Sequence, residues 1–183
     1  YSVYMELAGA QPPPVGADCG ILSFVENRSA RMSDIAIRRL ARADHVAWLA
    51  LWRGYNAFYG RQGDTALSDE INATTWTRLL DPTEPVFGFV AERRETLVGI
   101  AHVVLHRSTL QRESNCYMQD LFVDDRARGA GVGRALIEAV YDFARVHGLP
   151  RVYWQTQEGN ATARKLYDTL AAPTGFIVYR RQL

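Results

Sequence analysis

Three glycines at alternate positions, Gly129, Gly131 and Gly133, lie between two arginines in the run Arg128-Gly129-Ala130-Gly131-Val132-Gly133-Arg134. A loop of this kind at the start of a helix can hold a phosphate. Glycine permits a turn with positive φ and a close approach of backbone to ligand, and the helix start offers unpaired N–H groups and the positive end of its dipole. The arginines add positive charge on either side. A Rossmann dinucleotide site needs Gly-x-Gly-x-x-Gly and an acidic residue about 20 positions further on. Here the third glycine comes one residue early, and the region around Tyr153 has no carboxylate. A P-loop is excluded because no Gly-Lys-Ser/Thr follows. Upstream of the loop, Gln119-Asp120 sets an amide beside a carboxylate, and downstream Tyr167 supplies a phenol. His45, His102, His106 and His147 show no metal-ligand spacing, nor do Cys19 and Cys116, so no metal is expected.

These residues need a strand before the loop and a helix after it. Tyr117 to Val123 has the composition of a strand and ends at Asp124-Asp125. Past the loop, Val132, Ala135, Leu136, Ala139, Val140 and Phe143 fall at helical spacing, and Gly148 with Pro150 supplies the stop. Arg151 to Thr156 reads as a further strand, Asn160 as the cap of a helix running to about Ala171, and Phe176 to Arg180 as a closing strand. Ahead of the loop, Ile35 to Leu40 is a short strand, and Trp48, Trp52, Tyr55 and Tyr59 form one stripe of a helix over 43–60. That stripe is either core or the wall of a binding cleft. A second helix opens at Ser68 and stops at Asp81-Pro82. Two strands, Val86 to Glu92 and Leu97 to Arg107, flank a charged turn. The whole is a mixed α/β domain.

A chain of 183 residues, 48% hydrophobic, suits one well-filled core. Residues 1–31, with Pro12-Pro13-Pro14 and no sustained period, read as a flexible leader, and the folded domain is expected over 32–183, from Met32. Twenty-one basic residues against 20 acidic leave a net charge of +1, so neither nucleic acid nor anionic membrane is expected as a partner. Two distant cysteines, no membrane-length apolar run and no basic start with an apolar core lead to the expectation of a cytoplasmic protein.

The segment from Tyr117 to Tyr167 resembles the GCN5-related N-acetyltransferases, the GNAT family. Its Arg/Gln-x-x-Gly-x-Gly/Ala loop is matched by Arg128, Gly131 and Gly133, its central strand by Met118 to Val123, and its Asn-x-x-Ala-x-x-Leu/Phe-Tyr helix by Asn160 to Tyr167. The resemblance covers about Ser33 to the C-terminus. In detail it is closest to the HPA2-like histone and polyamine acetyltransferase branch, through Tyr55-Asn56-Ala57-Phe58-Tyr59-Gly60 and Gly175-Phe176-Ile177-Val178-Tyr179-Arg180. It implies a GNAT fold, with a central, mostly antiparallel twisted sheet of six to seven strands flanked by about four helices. It implies acetyl-CoA as cosubstrate, its pyrophosphate taken by Gly129, Ala130, Gly131, Val132, Gly133 and Arg134 beside Arg128. The main chains of Leu121 and Val123 would pair with the pantetheine arm, a main-chain N–H near Phe122 would polarise the thioester, and Asn160 and Ala163 would be further contacts. A homodimer formed through Gly175 to Arg180 is also implied.

Acetyl transfer to an alkyl amine of pKa about 10.4 requires the neutral amine, which costs about 4.6 kcal/mol at pH 7. Related polyamine acetyltransferases carry a glutamate where this chain has Gln119, whose amide cannot accept a proton. Asp120 is the nearest carboxylate. Strict alternation sets it on the other face of the strand from Gln119, where it acts as the base, orders a water or neighbour, or makes a structural hydrogen bond. Tyr167 holds the family position for the general acid toward the leaving thiolate, or else only packs. Tyr55 and Tyr59 fall beside the acceptor site by the same resemblance. The expected function is acetyl-CoA-dependent N-acetylation of a primary amine on a small molecule or polyamine. Two alternatives stand beside it: acetylation of a protein lysine or N-terminus, and a coenzyme-A-binding module without turnover.

Overall fold

The structure, a computed structural model, describes residues 34–183. The leader expected over 1–31, the start at Met32 and Cys19 lie outside the described residues. Strands β1 (Ile35–Arg39), β2 (Val86–Arg93), β3 (Thr96–His106), β4 (Asn115–Val123) and β5 (Val152–Trp154) form one sheet in that spatial order. The first four are antiparallel, and β5 runs parallel to β4.

Helices α1 (His45–Phe58) and α2 (Asp69–Leu80) cover one face. The Ser68 hydroxyl caps α2 by accepting from the Ile71 N–H. Trp48, Leu51, Trp52 and Tyr55 of α1 and Leu79 of α2 bury Val90 and Ile100 of the sheet, so much of the aromatic stripe is core. On the other face Leu136, Ile137, Val140 and Phe143 of α3 (Val132–Val146) cover Phe89, Ala91, Ala101, Val103, Cys116 and Met118. The neighbours in β2 and β3 alternate between the two cores, as period-two strands covered on both sides must. Helix α4 (Ala161–Tyr167) follows β5 and is capped by the Asn160 side chain, which accepts from the Ala163 N–H. It stops short of the expected end at Ala171.

Among the described residues the sheet has five strands, not the six to seven expected. The expected closing strand over Phe176 to Arg180 does not form: the segment takes no strand structure, and Phe176 is 93% exposed and Tyr179 88%. An extended segment becomes a strand only by pairing with an edge, and among the described residues no strand pairs with this one.

Two irregularities in β4 shape the site. His102 of β3 stands opposite Asp120, but Val103 stands opposite Met118, so Gln119 is the extra residue of a β-bulge. Pairing with β5, meanwhile, runs only through Cys116, Tyr117 and Met118. From Gln119 onward no strand among the described residues pairs with β4 on that side, and the sheet opens into a wedge.

Candidate active site

The glycine loop forms the turn into α3. Gly129 and Gly131 have φ of +78° and +84°, and apart from the adjoining residues no described atom lies within 4 Å of where a Cβ would stand on either. Gly131 caps α3 without a side-chain acceptor, and the Ala135 N–H is the one that closes onto the Gly131 carbonyl. The N–H groups of Val132, Gly133 and Arg134 are therefore left without helical partners, facing the open side of the turn. Gly133 serves packing instead: a Cβ there would sit 3.2 Å from Leu166 Cδ2, where α4 lies close to α3. The two arginines are already engaged. Arg128 pairs with Asp125 at 2.6 Å and donates to the Val123 carbonyl, while Arg134 donates to Thr169 Oγ1 at 2.7 Å.

The wedge presents main-chain groups beside this turn. The Asp124 N–H bonds to the Val98 carbonyl on the β3 side, so alternation turns the main chains of Val123 and Leu121 toward the wedge and that of Phe122 toward β3. The donors available near Phe122 thus belong to its two neighbours. The Phe122 ring lies against α1 at Gly54, where a Cβ would come within 2.8 Å of Phe122 Cζ. Tyr167 packs edge-on against Trp154, the last residue of β5, with ring centroids 5.4 Å apart. Burial, with a smaller contribution from Tyr59, pushes its phenol up to about 12.

A cleft of about 690 Å³ opens between α1 and the bulged part of β4. Tyr55, Tyr59, Tyr117, Gln119 and Asp120 all line it. Gln119 and Asp120, expected on opposite faces, share this cleft because the bulge breaks the alternation; by the same shift Met118 and Leu121, three residues apart, pack on the α3 core together. Asp120 is only 6% exposed and lies 3.0 Å from His102 Nδ1 through Oδ2. Burial holds the Tyr55 phenol well above its ordinary range, and the charge and hydrogen bond of Asp120 push it the same way.

The cleft also contains Arg61, which the motifs did not single out. Its Nε donates to Asn56 Oδ1 at 2.7 Å, and the buried Asn56 is itself fixed by donating to the Trp52 carbonyl. The guanidinium sits 5.5 Å from the Tyr59 ring centre and 5.9 Å from that of Tyr55. No carboxylate among the described residues pairs with it. The signal that could have found this pair is Asn56, a polar residue inside an apolar helical stripe. Among the described residues no group of three or more His, Cys, Asp or Glu is placed to hold a metal ion, and no helix is long and apolar enough to cross a membrane.

The sequence model of the Acetyltransferase (GNAT) family matches residues 48–171. D-amino-acid N-acetyltransferase HPA3 of Saccharomyces cerevisiae is 38% identical over 149 residues, which are 80% of this chain and 90% of the yeast protein. A mycothiol acetyltransferase of Thermobispora bispora is 33% identical over 75% of this chain, which spans 46% of that protein. Among solved structures, an aminoglycoside acetyltransferase, meta-AAC0020, from an uncultured soil metagenomic sample, in complex with sisomicin, superposes with a TM-score of 0.70. It is 21% identical, with 81% of this chain and 96% of that one covered. AAC(6')-Iy in complex with the bisubstrate analog CoA-S-monomethyl-acetylneamine gives 0.69 at 17% identity, covering 81% and 98%. With its glycine turn, split sheet and family match over most of its length, the chain belongs to the GNAT family of acetyltransferases.

Proposed function

We propose that the protein transfers the acetyl group of acetyl-CoA to the amino group of a small acceptor that also bears a carboxylate, an amino acid. One observation carries this reading: Asp120 and Arg61 line the same cleft, with the guanidinium 5.9 Å from the Tyr55 ring centre, so a negative and a positive group share one site. An amino acid zwitterion is complementary to that pair. Its ammonium belongs at Asp120, and its carboxylate at the guanidinium face that Asn56 leaves free. A polyamine brings only positive charge into a cleft where Arg61, Arg78 and Arg180 already stand. The name of the yeast relative supports the same acceptor class.

The fit to coenzyme A rests on the open N–H groups of Val132, Gly133 and Arg134 for the pyrophosphate and on the wedge-facing main chains of Leu121 and Val123 for the pantetheine arm. Their N–H groups are also the donors available to a thioester carbonyl bound in the wedge, where a preorganised donor would lower the barrier by about 3 kcal/mol. Asp120 holds the acceptor nitrogen and takes, directly or through a water, the proton it sheds as the C–N bond forms. Gln119, on the same cleft, orients the acceptor by hydrogen bonding. Tyr167 at about 12 is a weaker acid than a thiol of about 8.5, so it stabilises the departing thiolate as a hydrogen-bond donor and keeps its proton. We also propose that two chains associate through Gly175 to Arg180.

Thiol release from acetyl-CoA tests this with D- and L-amino acids, their amides, spermidine, an aminoglycoside and a histone-tail peptide as acceptors. Amino acids are expected to turn over, and their amides much less. Faster turnover of spermidine or of the peptide would overturn the amino acid reading.

A further inference from the structure

We infer that His102 is a positioning residue for the reaction, holding the Asp120 carboxylate in place from within the core; the inference rests on the acetyl-transfer reading above. The two residues are cross-strand partners on β3 and β4, beside the bulge at Gln119. The His102 side chain is 3% exposed and that of Asp120 8%. His102 Nδ1 lies 3.0 Å from Asp120 Oδ2, and His102 Nε2 lies 2.9 Å from Trp48 Nε1, with Trp48 wholly buried.

The chain of contacts admits one reading of the ring's proton. An indole N–H can only donate, so Nε2 must be the accepting nitrogen and the proton sits on Nδ1, where it is donated to Asp120. A second proton on Nε2 would face the Trp48 N–H directly, donor against donor. In the neutral ring Nδ1 is therefore the donor to Asp120. Trp52 closes in the same ring, with centroids 5.3 Å apart, and also stacks on Tyr55 at 5.3 Å.

The bulge explains why such a support is needed. At Gln119 the β3–β4 ladder is interrupted, and pairing resumes at Asp120, so the contact with His102 is the first cross-strand pair beyond the break. Without that pair Asp120 would be a buried carboxylate beside a bulge, free to change rotamer. With Oδ2 tied to His102, the remaining lone pairs are presented to Tyr55 and the cleft. The other titratable groups facing this site are Tyr55 and Tyr59 of α1, Arg61 after it, Arg78 of α2, Tyr117 of β4 and Arg180 of the tail.

The test combines kinetics with the ring's protonation. His102→Phe keeps a planar ring and removes the donor; kcat for an amino acid acceptor should fall about 10- to 100-fold through misplacement of Asp120, with acetyl-CoA affinity unchanged by calorimetry. His102→Asn, which returns an N–H close to the Nδ1 position, should recover most of that loss. Long-range proton–nitrogen NMR of the wild-type protein should show the neutral ring as the Nδ1–H tautomer. An Nε2–H tautomer overturns the inference whatever the activity. So does His102→Phe with kcat within twofold of wild type, or His102→Asn no better than His102→Phe. Absence of thiol release by the wild-type protein with every acceptor would instead remove the acetyl-transfer reading, and with it the catalytic meaning of the contact, while the tautomer still reports whether the donor is fixed.

Discussion

In the proposed reading Asp120 and Arg61 divide the acceptor between them, so substitutions at the two should fail differently. Arg61→Ala removes a charge-assisted bond to the acceptor carboxylate, worth about 1.5–3 kcal/mol, and should raise KM for amino acids by about 10- to 100-fold. Acceptors without a carboxylate should be nearly unaffected, and an equal loss for both would show that Arg61 only packs on Tyr55 and Tyr59. Tyr167→Phe should lower kcat more than acetyl-CoA affinity, since the phenol meets charge only as the thiolate forms. Two buried groups also set an alkaline limit on stability. Burial raises the Cys116 thiol from 9.0 to about 11 and the Tyr167 phenol from 10.0 to about 12. For each, the unfolded chain loses its proton first, so the folded state's advantage is complete below the unfolded value and is lost as pH rises through the folded one. Urea unfolding midpoints should fall between pH 9 and 12, and Cys116→Ala should remove the earlier part of that fall. A midpoint flat across the window would contradict it.

At the scale of elements, the seat of α1 on the tip of β4 is set by Gly54. A methyl there would fall 2.8 Å from Phe122 Cζ, and Phe122 lies between the two residues whose main chains face the wedge. Gly54→Ala should therefore cost about 1–3 kcal/mol by overpacking and weaken acetyl-CoA binding as well, which calorimetry alongside urea unfolding can check. Loss of stability with coenzyme affinity intact would separate the helix seat from the wedge. Most of the elements were legible in the sequence because each carries its own period: the α3 stripe, the Ser68 and Asn160 caps and the strands around the charged turn all stand close to where their patterns put them. The site was legible only in part. A bulge inserts one residue without any change in composition, so nothing in Met118-Gln119-Asp120 shows that alternation fails there. His102 and Asp120 meet by register across a hairpin, and Asn56 and Arg61 by the return of the chain after α1, both of which are set by packing.

The molecule as a whole ends in a segment that its own sheet does not use. Phe176, Ile177, Val178 and Tyr179 are 93%, 73%, 65% and 88% exposed, a run of β-forming residues with no partner among the described residues. Nearby, β5 is an edge strand of only three residues. An apolar, unpaired stretch is stabilised when it adds to the edge of another sheet, and a second copy of this chain offers the same edge and the same stretch, so the proposed contact would close on itself as a twofold dimer. The tail also reaches the acceptor site, since Arg180 lines the cleft with Arg61. Association and acceptor binding should therefore be lost together. Light scattering of the full chain should give the mass of a dimer, and a chain ended at Thr174 should be monomeric, with a raised KM for amino acids and unchanged acetyl-CoA affinity. A full chain that scatters as a monomer at micromolar concentration would refute the pairing. A dimer that survives removal of 175–183 would move the interface to another face and leave Arg180 with the acceptor role alone.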